Sequence, residues 1–443
     1  MAKGQIITGL DVGTNTIKCL VAQKKGSEWE VLSYSQIPSF GLRRGAVHSV
    51  EDTARNIGVL ISRVEKNCGR KINSVFVNIG GSHLYVTPSD GLISVSRADH
   101  VISEEDIERV LQATRAINIP LNEEILDVFP KEFIIDDQKE IKQPLGLIGV
   151  RLQAKVTLLC YFQSYFINLT QAVLNTKLQI DDIVPSPLAA ARAVLTREQK
   201  EIGVALLDIG SATTSLVVFE EGDLIHLVVL PLGSGNITND IAIGLKTEVS
   251  IAEDIKKKYG TCVFMPTKSK NLDKILIKSD SSLPKSKEKH DEEDNKLTDK
   301  EVLSDYSDED ALDKSYSVEF SKKLLVNIIE PRVSEILDLM QKELKKIGKE
   351  GLLPGGIVLT GGGVKLSRIK DLVRERLKLP CRIGLPKGIV GLEEDPVLST
   401  VAGLVLGGID FETEEKGSMF GLSFGFFKKL SAIFKRIFKV FIP

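Results

Sequence analysis

The sequence predicts an α/β protein made of two related halves around a central cleft, with an inserted α+β unit and an amphipathic C-terminal helix. Three observations predict this architecture: short apolar strands alternate with helical patterns, one Asp-x-Gly turn motif occurs twice, and the last residues separate into apolar and cationic faces. The length of 443 residues favours more than one domain, and 42% hydrophobic residues suffice for a sizeable core.

The charge balance and the cysteines exclude several classes of protein. With 58 Lys and Arg against 60 Asp and Glu, the net charge is −2, so the chain is not a globally basic nucleic-acid binder. The five cysteines are scattered without a CxxC pair or a His cluster, which predicts buried reduced thiols and no disulfide framework or zinc site. The N-terminus lacks a signal-peptide pattern and no stretch reaches ~18 uncharged apolar residues, so we expect a cytoplasmic chain with only peripheral membrane contact.

The first 163 residues contain the first half and the inserted unit. Apolar runs predict strands at 6–10, 18–22, 29–34 and 75–79, and helical spacing predicts a helix at 51–66. The pattern of predicted helices and strands changes at residue 84. There Ser103 and an acidic first turn predict a helix through residue 117, with short strands around Phe133 and Val156. The segment 84–163 is therefore predicted to be an α+β insertion.

The second half repeats the alternation of strands and helices. Strands are predicted at 204–207, 215–220 and 224–230, helices at 251–259 and 318–349, and a strand with its turn at 356–363. The charge-rich segment 279–315 predicts a solvated insertion, with a partner-binding site as the alternative.

One turn motif occurs in both halves. LDVGTNT at 10–16 recurs as LDIGSAT at 207–213, each time between two predicted strands. Glycine and hydroxyl residues present close-packed N–H and O–H donors to an anion. Asp11 and Asp208 repel a bare phosphate but favour one that carries a divalent cation, and Lys18 can point to the same phosphates. A single copy is typical of an ordinary β-turn; two copies in matching contexts favour phosphate binding.

Two further features add to this site. The strand at 356–360 ends in three glycines, which permit contact with a flat group such as an adenosine; a flexible turn is the alternative. Glu253 and Lys256 lie on one face of the predicted helix 251–259. The alternative for this pair is a surface ion pair.

The order of these motifs resembles the five-part nucleotide site of the actin/sugar-kinase/DnaK superfamily. The matching segments are DVGTNTIK, PSPLAAARAVL, LDIGSATTS, AEDIKKKYG and LTGGG. Within the superfamily the chain is similar to the FtsA family of bacterial cell-division proteins, through GLRRGAV, VNIGGSH, PLGSGNITNDIAIGL, VLTGGGVKL and DPVLSTVAGL. The sequence departs from the family pattern at two places. One is the 279–315 insertion, in the subdomain expected to bind FtsZ, and the other is Val364, where a smaller residue is usual after the glycines.

The resemblance implies a duplicated actin-like ATPase fold, two domains around a nucleotide cleft, with ATP and Mg²⁺ as ligands. Asp11 and Asp208 would hold Mg²⁺ through water, and Asp208 is the one candidate for orienting a hydrolytic water. Glu253 and Lys256 would contact the ribose or base. The phosphate and adenosine groups would be held by Gly13, Thr14, Asn15, Thr16, Lys18, Gly210, Ser211, Ala212, Thr213, Gly361, Gly362 and Gly363. We expect tight binding of Mg·ATP with slow or no hydrolysis.

The resemblance also gives a subdomain plan. Subdomain 1A comprises 1–83, 164–199 (with a connecting helix) and a closing helix at 388–410. Subdomain 1C is the insertion 84–163, and subdomain 2A comprises 200–234 and 319–387. Subdomain 2B is 235–318, and a linker at 411–426 leads to a membrane-targeting helix at 427–443.

The C-terminal segment has its own composition. Residues 416–443 carry six cations, no acid and seven of the 17 Phe residues. On a helical wheel, one face of 427–442 is apolar and the other cationic, which is typical of a helix lying in a membrane interface. A core helix and a calmodulin-type target are the alternatives. The apolar face comprises Phe427, Leu430, Phe434, Ile437, Phe438 and Phe441, and the cationic face Lys428, Lys429, Lys435, Arg436 and Lys439.

The function expected from these features is an ATP-binding, actin-like division protein on the cytoplasmic face of the bacterial inner membrane, at the septum. Its expected partners are the FtsZ C-terminal tail, further copies of itself in a filament, anionic phospholipid and other division proteins, but not nucleic acid. Two alternatives remain open: a PilM-like scaffold of a pilus or secretion assembly, and a small-molecule kinase of the same superfamily.

Overall fold

The computed structural model describes residues 5–264, 274–278 and 317–416. It is an α/β protein with one five-stranded and one nine-stranded sheet. The described strands are β1 (Ile6–Val12), β2 (Thr16–Lys25), β3 (Glu28–Pro38), β4 (Leu42–Arg43), β5 (Ala46–Val47), β6 (Ser74–Ile79), β7 (Tyr85–Ser94), β8 (Glu123–Ile135), β9 (Gln138–Ile141), β10 (Arg151–Phe162), β11 (Gln179–Pro185), β12 (Val204–Ile209), β13 (Thr214–Glu220), β14 (Asp223–Leu230), β15 (Lys274–Lys278), β16 (Ser317–Ser321), β17 (Ile357–Thr360) and β18 (Cys381–Ile383). The described α-helices are α1 (Val50–Cys68), α2 (Glu104–Ala113), α3 (Gln163–Leu174), α4 (Ser186–Val194), α5 (Arg197–Ile202), α6 (Ser234–Leu245), α7 (Val249–Tyr259), α8 (Lys322–Lys346), α9 (Ile369–Leu377) and α10 (Ser399–Lys416).

The two halves are built on the same strand order. The first sheet runs β11-β6-β1-β2-β3, and the second begins β18-β17-β12-β13-β14. In each half a central strand pairs antiparallel with the next strand and parallel with a later one. The hairpin registers also correspond, since Val12 pairs with Ile17 and Ile209 pairs with Thr214. The duplication predicted from the repeated turn is confirmed.

Helix α10 packs closely against the first sheet and α4. Helix α10 lies against β1, where a Cβ on Gly9 would come within 2.9 Å of the Val401 carbonyl oxygen. It also crosses α4, where a Cβ on Gly403 would lie 1.7 Å from the Ala189 carbonyl oxygen. Glycines at these two positions therefore let α10 approach the first sheet and α4. One hydrophobic core spans the first sheet, α4 and α10, and a second lies under β12, β17 and α8.

The inserted unit consists of α2 and the strands β7 to β10, around a small core of its own. Ser103 caps α2 as predicted, in a reciprocal capping box with Asp106. Strand β7 reaches β14 through the pair Tyr85 and Val228, so the insertion extends the sheet of the second half. Lys142 adds ion pairs to Glu221 and Asp223 at the same junction.

Several predicted element bounds were wrong. The helix expected from residue 318 begins at Lys322, because 317–321 alternates apolar and polar residues and forms β16 against β15. Helix α2 ends at Ala113 instead of residue 117, and α8 ends at Lys346 instead of 349. The last helix begins at Ser399 and continues to Lys416, past the predicted end at residue 410.

Other predictions concern the cysteines and the membrane. All five cysteines are free, and four of them are buried. Among the described residues, no helix has the length and apolarity needed to cross a membrane. The insertion 279–315 and the helix predicted at 427–443 lie outside the described residues.

Candidate functional site

The first turn joins β1 to β2 and holds a buried ion pair. Asp11 and Lys18 are paired across the hairpin, and their side chains meet with Lys18 Nζ 2.8 Å from Asp11 Oδ2. Both residues are less than 8% exposed. A Cβ on Gly13 would lie 2.8 Å from the Thr16 carbonyl oxygen, so the tight turn requires glycine. Lys18, which the sequence predicts to point to the phosphates, thus lies beside Asp11 at the turn.

Neighbouring segments support the first turn from outside. Thr14 Oγ1 accepts a hydrogen bond of 2.9 Å from the Gly45 N–H, within the GLRRGAV segment. The Asn15 carbonyl accepts one of 3.0 Å from the Ser39 N–H. Thr16 begins β2. These bonds leave the exposed Asn15 side chain at the tip of the turn.

Asn78, at the end of β6, was not predicted as a site residue. Its Oδ1 accepts from the Val12 N–H at 2.6 Å, and its Nδ2 donates to Asp11 Oδ1 at 2.9 Å. The signal in the sequence was the VNIGGSH segment, which matched the family but contains no motif for metal or phosphate binding.

The second turn is held by the start of α6. The Gly210 N–H donates to the Thr213 carbonyl at 2.9 Å and closes the turn. The Ser234 and Gly235 N–H groups donate to the Gly210 and Ser211 carbonyls at 2.8 and 2.7 Å. A Cβ on Gly233 would lie 2.6 Å from the Ser211 carbonyl oxygen. Gly233, Ser234 and Gly235 were missed as site residues, although PLGSGNIT carries two glycines around a serine.

Asp208 lies in the same electrostatic environment as the first turn. The pKa of Asp208 is raised to about 6, first by burial and then by the charge of Asp11, while the charge of Lys18 acts to lower it. In the described part of the chain, no side-chain group donates a hydrogen bond to the Asp208 carboxylate. Asp208 is therefore close enough to Asp11 and Lys18 to interact with both of their charges.

The triple glycine packs against Asp208. Gly361 has a φ of +86°, and a Cβ there would come within 2.2 Å of Asp208 Oδ1. A Cβ on Gly363 would lie 2.4 Å from Ile209 Cγ2, whereas Gly362 is exposed, with its nearest contact 3.8 Å away. The glycines are followed by a 3-10 turn in which Val364 is buried in the second core. The flexible-turn alternative is therefore wrong for Gly361 and Gly363.

Glu253 and Lys256 form a buried cluster with α6. Lys256 is 8% exposed, and its Nζ lies 2.6 Å from Glu253 and donates to Thr238 Oγ1 at 2.7 Å and the Ser234 carbonyl at 3.1 Å. Burial lowers the pKa of Lys256. Burial acts to raise the pKa of Glu253, but hydrogen bonds from Lys256 and Thr238 lower it overall. The alternative of a surface ion pair is wrong, since the pair anchors α7 to the residues that hold the second turn.

The predicted residues thus fall into two groups. Those of the two turns, the triple glycine and the Glu253–Lys256 pair are linked to one another by direct contacts or by charge interactions. The predicted membrane residues lie outside the described residues: Phe427, Lys428, Lys429, Leu430, Phe434, Lys435, Arg436, Ile437, Phe438, Lys439 and Phe441.

Solved structures share this architecture. The PilM–PilN type IV pilus biogenesis complex contains a chain that superposes with a TM-score of 0.59, at 19% identity, covering 91% of this chain and 98% of that one. MreB5 of Spiroplasma citri bound to ADP superposes with a TM-score of 0.52 at 12% identity, covering 94% and 99% of the two chains. At these identities the likeness shows the fold alone, which is the actin-like α/β fold.

Related sequences give a more specific assignment than the fold does. The model of the family "Cell division protein FtsA" matches residues 205–403, and that of the "SHS2 domain inserted in FTSA" matches 81–160, beside the predicted insertion at 84–163. The cell division protein FtsA of Pseudomonas aeruginosa is 33% identical over 93% of this chain and 91% of its own length. That of Bacillus subtilis is 30% identical over 91% and 84%. This chain belongs to the FtsA family of actin-like cell-division proteins.

Proposed function

We propose that this protein binds Mg·ATP between its two turns and, as a membrane-attached polymer, links FtsZ to the cytoplasmic membrane at the division site. The observation that carries the nucleotide proposal is that Asp208 lies within the electrostatic reach of the Asp11–Lys18 ion pair, with Gly361 packed on Asp208. Two carboxylates beside a lysine and two glycine-rich turns match the charges of a metal–triphosphate better than those of a neutral ligand.

The donors present fit Mg·ATP. Hydrated Mg²⁺ favours carboxylate oxygens, which Asp11 and Asp208 supply. Gly362 is exposed and leaves backbone bare of side chains where an adenosine would approach, and the Glu253–Lys256 pair would face its ribose or base. The first turn supplies Gly13, Thr14, Asn15, Thr16 and Lys18 for phosphate, and the second turn Gly210, Ser211, Ala212 and Thr213. The bound metal would neutralise phosphate charge. MreB5 of Spiroplasma citri, which shares the fold, was solved with ADP and with AMPPNP.

Turnover is proposed to be slow or absent. Asp208 is the one acidic group proposed for orienting a water, and its raised pKa favours a proton-accepting role near neutral pH. In the described chain, the nearby lysine is already paired with Asp11. Single-turnover measurement of phosphate release, compared with the Asp208→Asn variant, reports this directly.

A matched pair of lysine substitutions tests nucleotide binding. Lys18→Met removes the cation at the turn, whereas Lys24→Met changes an exposed lysine of the same strand. Titration of a fluorescent ATP analogue with Mg²⁺ should show saturable binding, weakened about tenfold or more by the first change only, because a charge-assisted contact is worth ~1.5–3 kcal/mol. Absence of saturable binding by the wild type would refute the nucleotide proposal.

Membrane attachment is proposed for residues 427–443. The support is the separation of six large apolar residues from five cations on a helical wheel, together with family membership. Each cation near an anionic surface contributes about 1 kcal/mol, and a polymer multiplies weak attachments by avidity. Deletion of 427–443, or Glu at both Phe434 and Phe438, should release the protein from anionic vesicles in sedimentation; retention would indicate another anchor.

The division partners follow from the family. A pull-down with an FtsZ C-terminal peptide should retain this protein, while a peptide of scrambled sequence should not. Electron microscopy on lipid monolayers with ATP should show filaments. Loss of peptide binding with intact filaments would refute the FtsZ part alone.

A further inference from the structure

The side chain of Asn78 is a rigid link at the back of the first turn. It is 4% exposed, and it joins β1, β6 and α4. Its Oδ1 accepts from the Val12 N–H at 2.6 Å. Its Nδ2 donates to Asp11 Oδ1 and to Ser186 Oγ, both at 2.9 Å. Ser186 Oγ in turn donates to the Ile79 carbonyl at 3.0 Å, which fixes its own position.

These bonds use both functions of a carboxamide. One oxygen accepts from the backbone while one nitrogen donates to two oxygens. An aspartate at this position could not donate to Asp11, and an apolar residue could make none of the three bonds. Gly80 adds to the constraint, because a Cβ there would lie 2.9 Å from Ser186 Oγ.

The two oxygens of Asp11 therefore have different partners. Oδ1 receives a hydrogen bond from the neutral amide of Asn78, and Oδ2 pairs with the charged Lys18. A cation at Oδ2 competes with any metal for the negative charge, but a neutral donor at Oδ1 orients the carboxylate while leaving that charge in place. Lys18 can exchange one anionic partner for another, whereas Asn78 holds the carboxylate plane.

The second half lacks this link. Thr360 ends the corresponding strand β17, but its hydroxyl lies 2.6 Å from Ser399 Oγ and 3.1 Å from the Pro396 carbonyl. The Asp208 carboxylate instead packs against the backbone of Gly361. In the described residues, only the acid of the first half has an amide that orients it.

We propose that Asn78 is a positioning residue that fixes the Asp11 carboxylate for the divalent cation accompanying the nucleotide. This inference rests on the proposed nucleotide site and deepens it, since it assigns metal affinity and nucleotide affinity to separable groups. Loss of Asn78 should weaken the contribution of the metal to nucleotide affinity. The donors to phosphate in the two turns and Lys18 remain.

The test compares Asn78→Ala with Thr360→Val, a buried polar residue at the equivalent strand end. The affinity of a fluorescent ATP analogue is measured in EDTA, and then as a function of Mg²⁺ concentration. For Asn78→Ala we expect a rise of about tenfold in the Mg²⁺ concentration that produces half of the full increase in analogue affinity. The affinity in EDTA should change less than about twofold. Thr360→Val should leave both unchanged, and Ser186→Ala should raise the Mg²⁺ requirement less than Asn78→Ala does. Equal loss with and without Mg²⁺, or no loss, would overturn the proposal.

A second measurement separates this inference from the nucleotide proposal. Mn²⁺ binding to the nucleotide-free full chain is followed by electron paramagnetic resonance, with Asn78→Leu as the neutral, size-matched variant if Asn78→Ala does not fold. Mn²⁺ binding that is about tenfold weaker in the variant supports the role of Asn78 even if the ATP analogue does not bind. Equal Mn²⁺ binding, or none by the wild type, would overturn it.

Discussion

Around Asp11, an amide and a lysine hold both carboxylate oxygens, whereas around Asp208 a glycine backbone approaches and burial raises the pKa to about 6. The strand order and the hairpin register are nevertheless the same in the two halves. A duplicated fold has therefore kept its geometry while its two acids acquired different surroundings. Asp11 is held in place as an ion-pair partner, and Asp208 is free to take up a proton.

The largest effect is expected at Gly361. Gly361→Ala would place a Cβ 2.2 Å from Asp208 Oδ1, which is a steric clash. The φ of +86° at this position is also unfavourable for alanine. We expect the free energy of unfolding to fall by about 3–4 kcal/mol, with loss of ATP-analogue binding. Gly362→Ala is the control, because its nearest neighbour would be 3.8 Å away. Equal behaviour of the two variants in chemical denaturation would contradict this packing.

Neutralising Asp11 should destabilise the protein. Asp11→Asn leaves the buried Lys18 without its hydrogen-bonded carboxylate, and an uncompensated buried charge typically costs about 3 kcal/mol or more. Urea denaturation at pH 8 measures the loss. An unchanged midpoint would mean that Asp208 replaces Asp11 as the partner of Lys18.

Neutralising Asp208 should stabilise the protein, which is the opposite of the effect expected at Asp11. Its pKa is about 6 in the folded chain and 3.8 without the fold, so the folded state binds the extra proton and stability falls as pH rises from about 4 through 6. Asp208→Asn removes that penalty and should stabilise the protein by about 3 kcal/mol at pH 8, since one pKa unit corresponds to about 1.4 kcal/mol. The gain should vanish near pH 4. Melting curves across pH measure it, and destabilisation at pH 8 would contradict the assignment.

The smallest effect is expected at the junction between the insertion and the second half. Strand β14 is extended by β7 of the insertion, while β3 ends the first sheet. Lys142→Ala removes the exposed ion pairs with Glu221 and Asp223, which should cost less than about 1 kcal/mol. Lys139→Ala, in the same hairpin, is the control. Hydrogen exchange of the amides of β7 and β14 measures the junction, and a larger loss would mean that Lys142 holds the insertion in place.

The sequence alone could predict the duplication and both turns, because a repeated Asp-x-Gly pattern between apolar runs depends only on local residues. It could not predict Asn78, whose partner Asp11 is distant in the chain and is brought near by the parallel pairing of β1 and β6. The burial of Lys256 was also out of reach, since spacing within α7 places it beside Glu253 but not beneath α6. Strand β16 was mistaken for helix because its alternation is only five residues long and runs directly into the helical pattern of α8.

The most direct test of the nucleotide site is a calorimetric titration of the full chain with ATP, with and without Mg²⁺, at pH 8 and pH 5. Two ionised carboxylates at pH 8 should make ATP affinity depend on Mg²⁺ by about tenfold or more, and protonation of Asp208 should reduce that dependence at pH 5. Binding that is absent, or independent of Mg²⁺ at pH 8, would contradict the account.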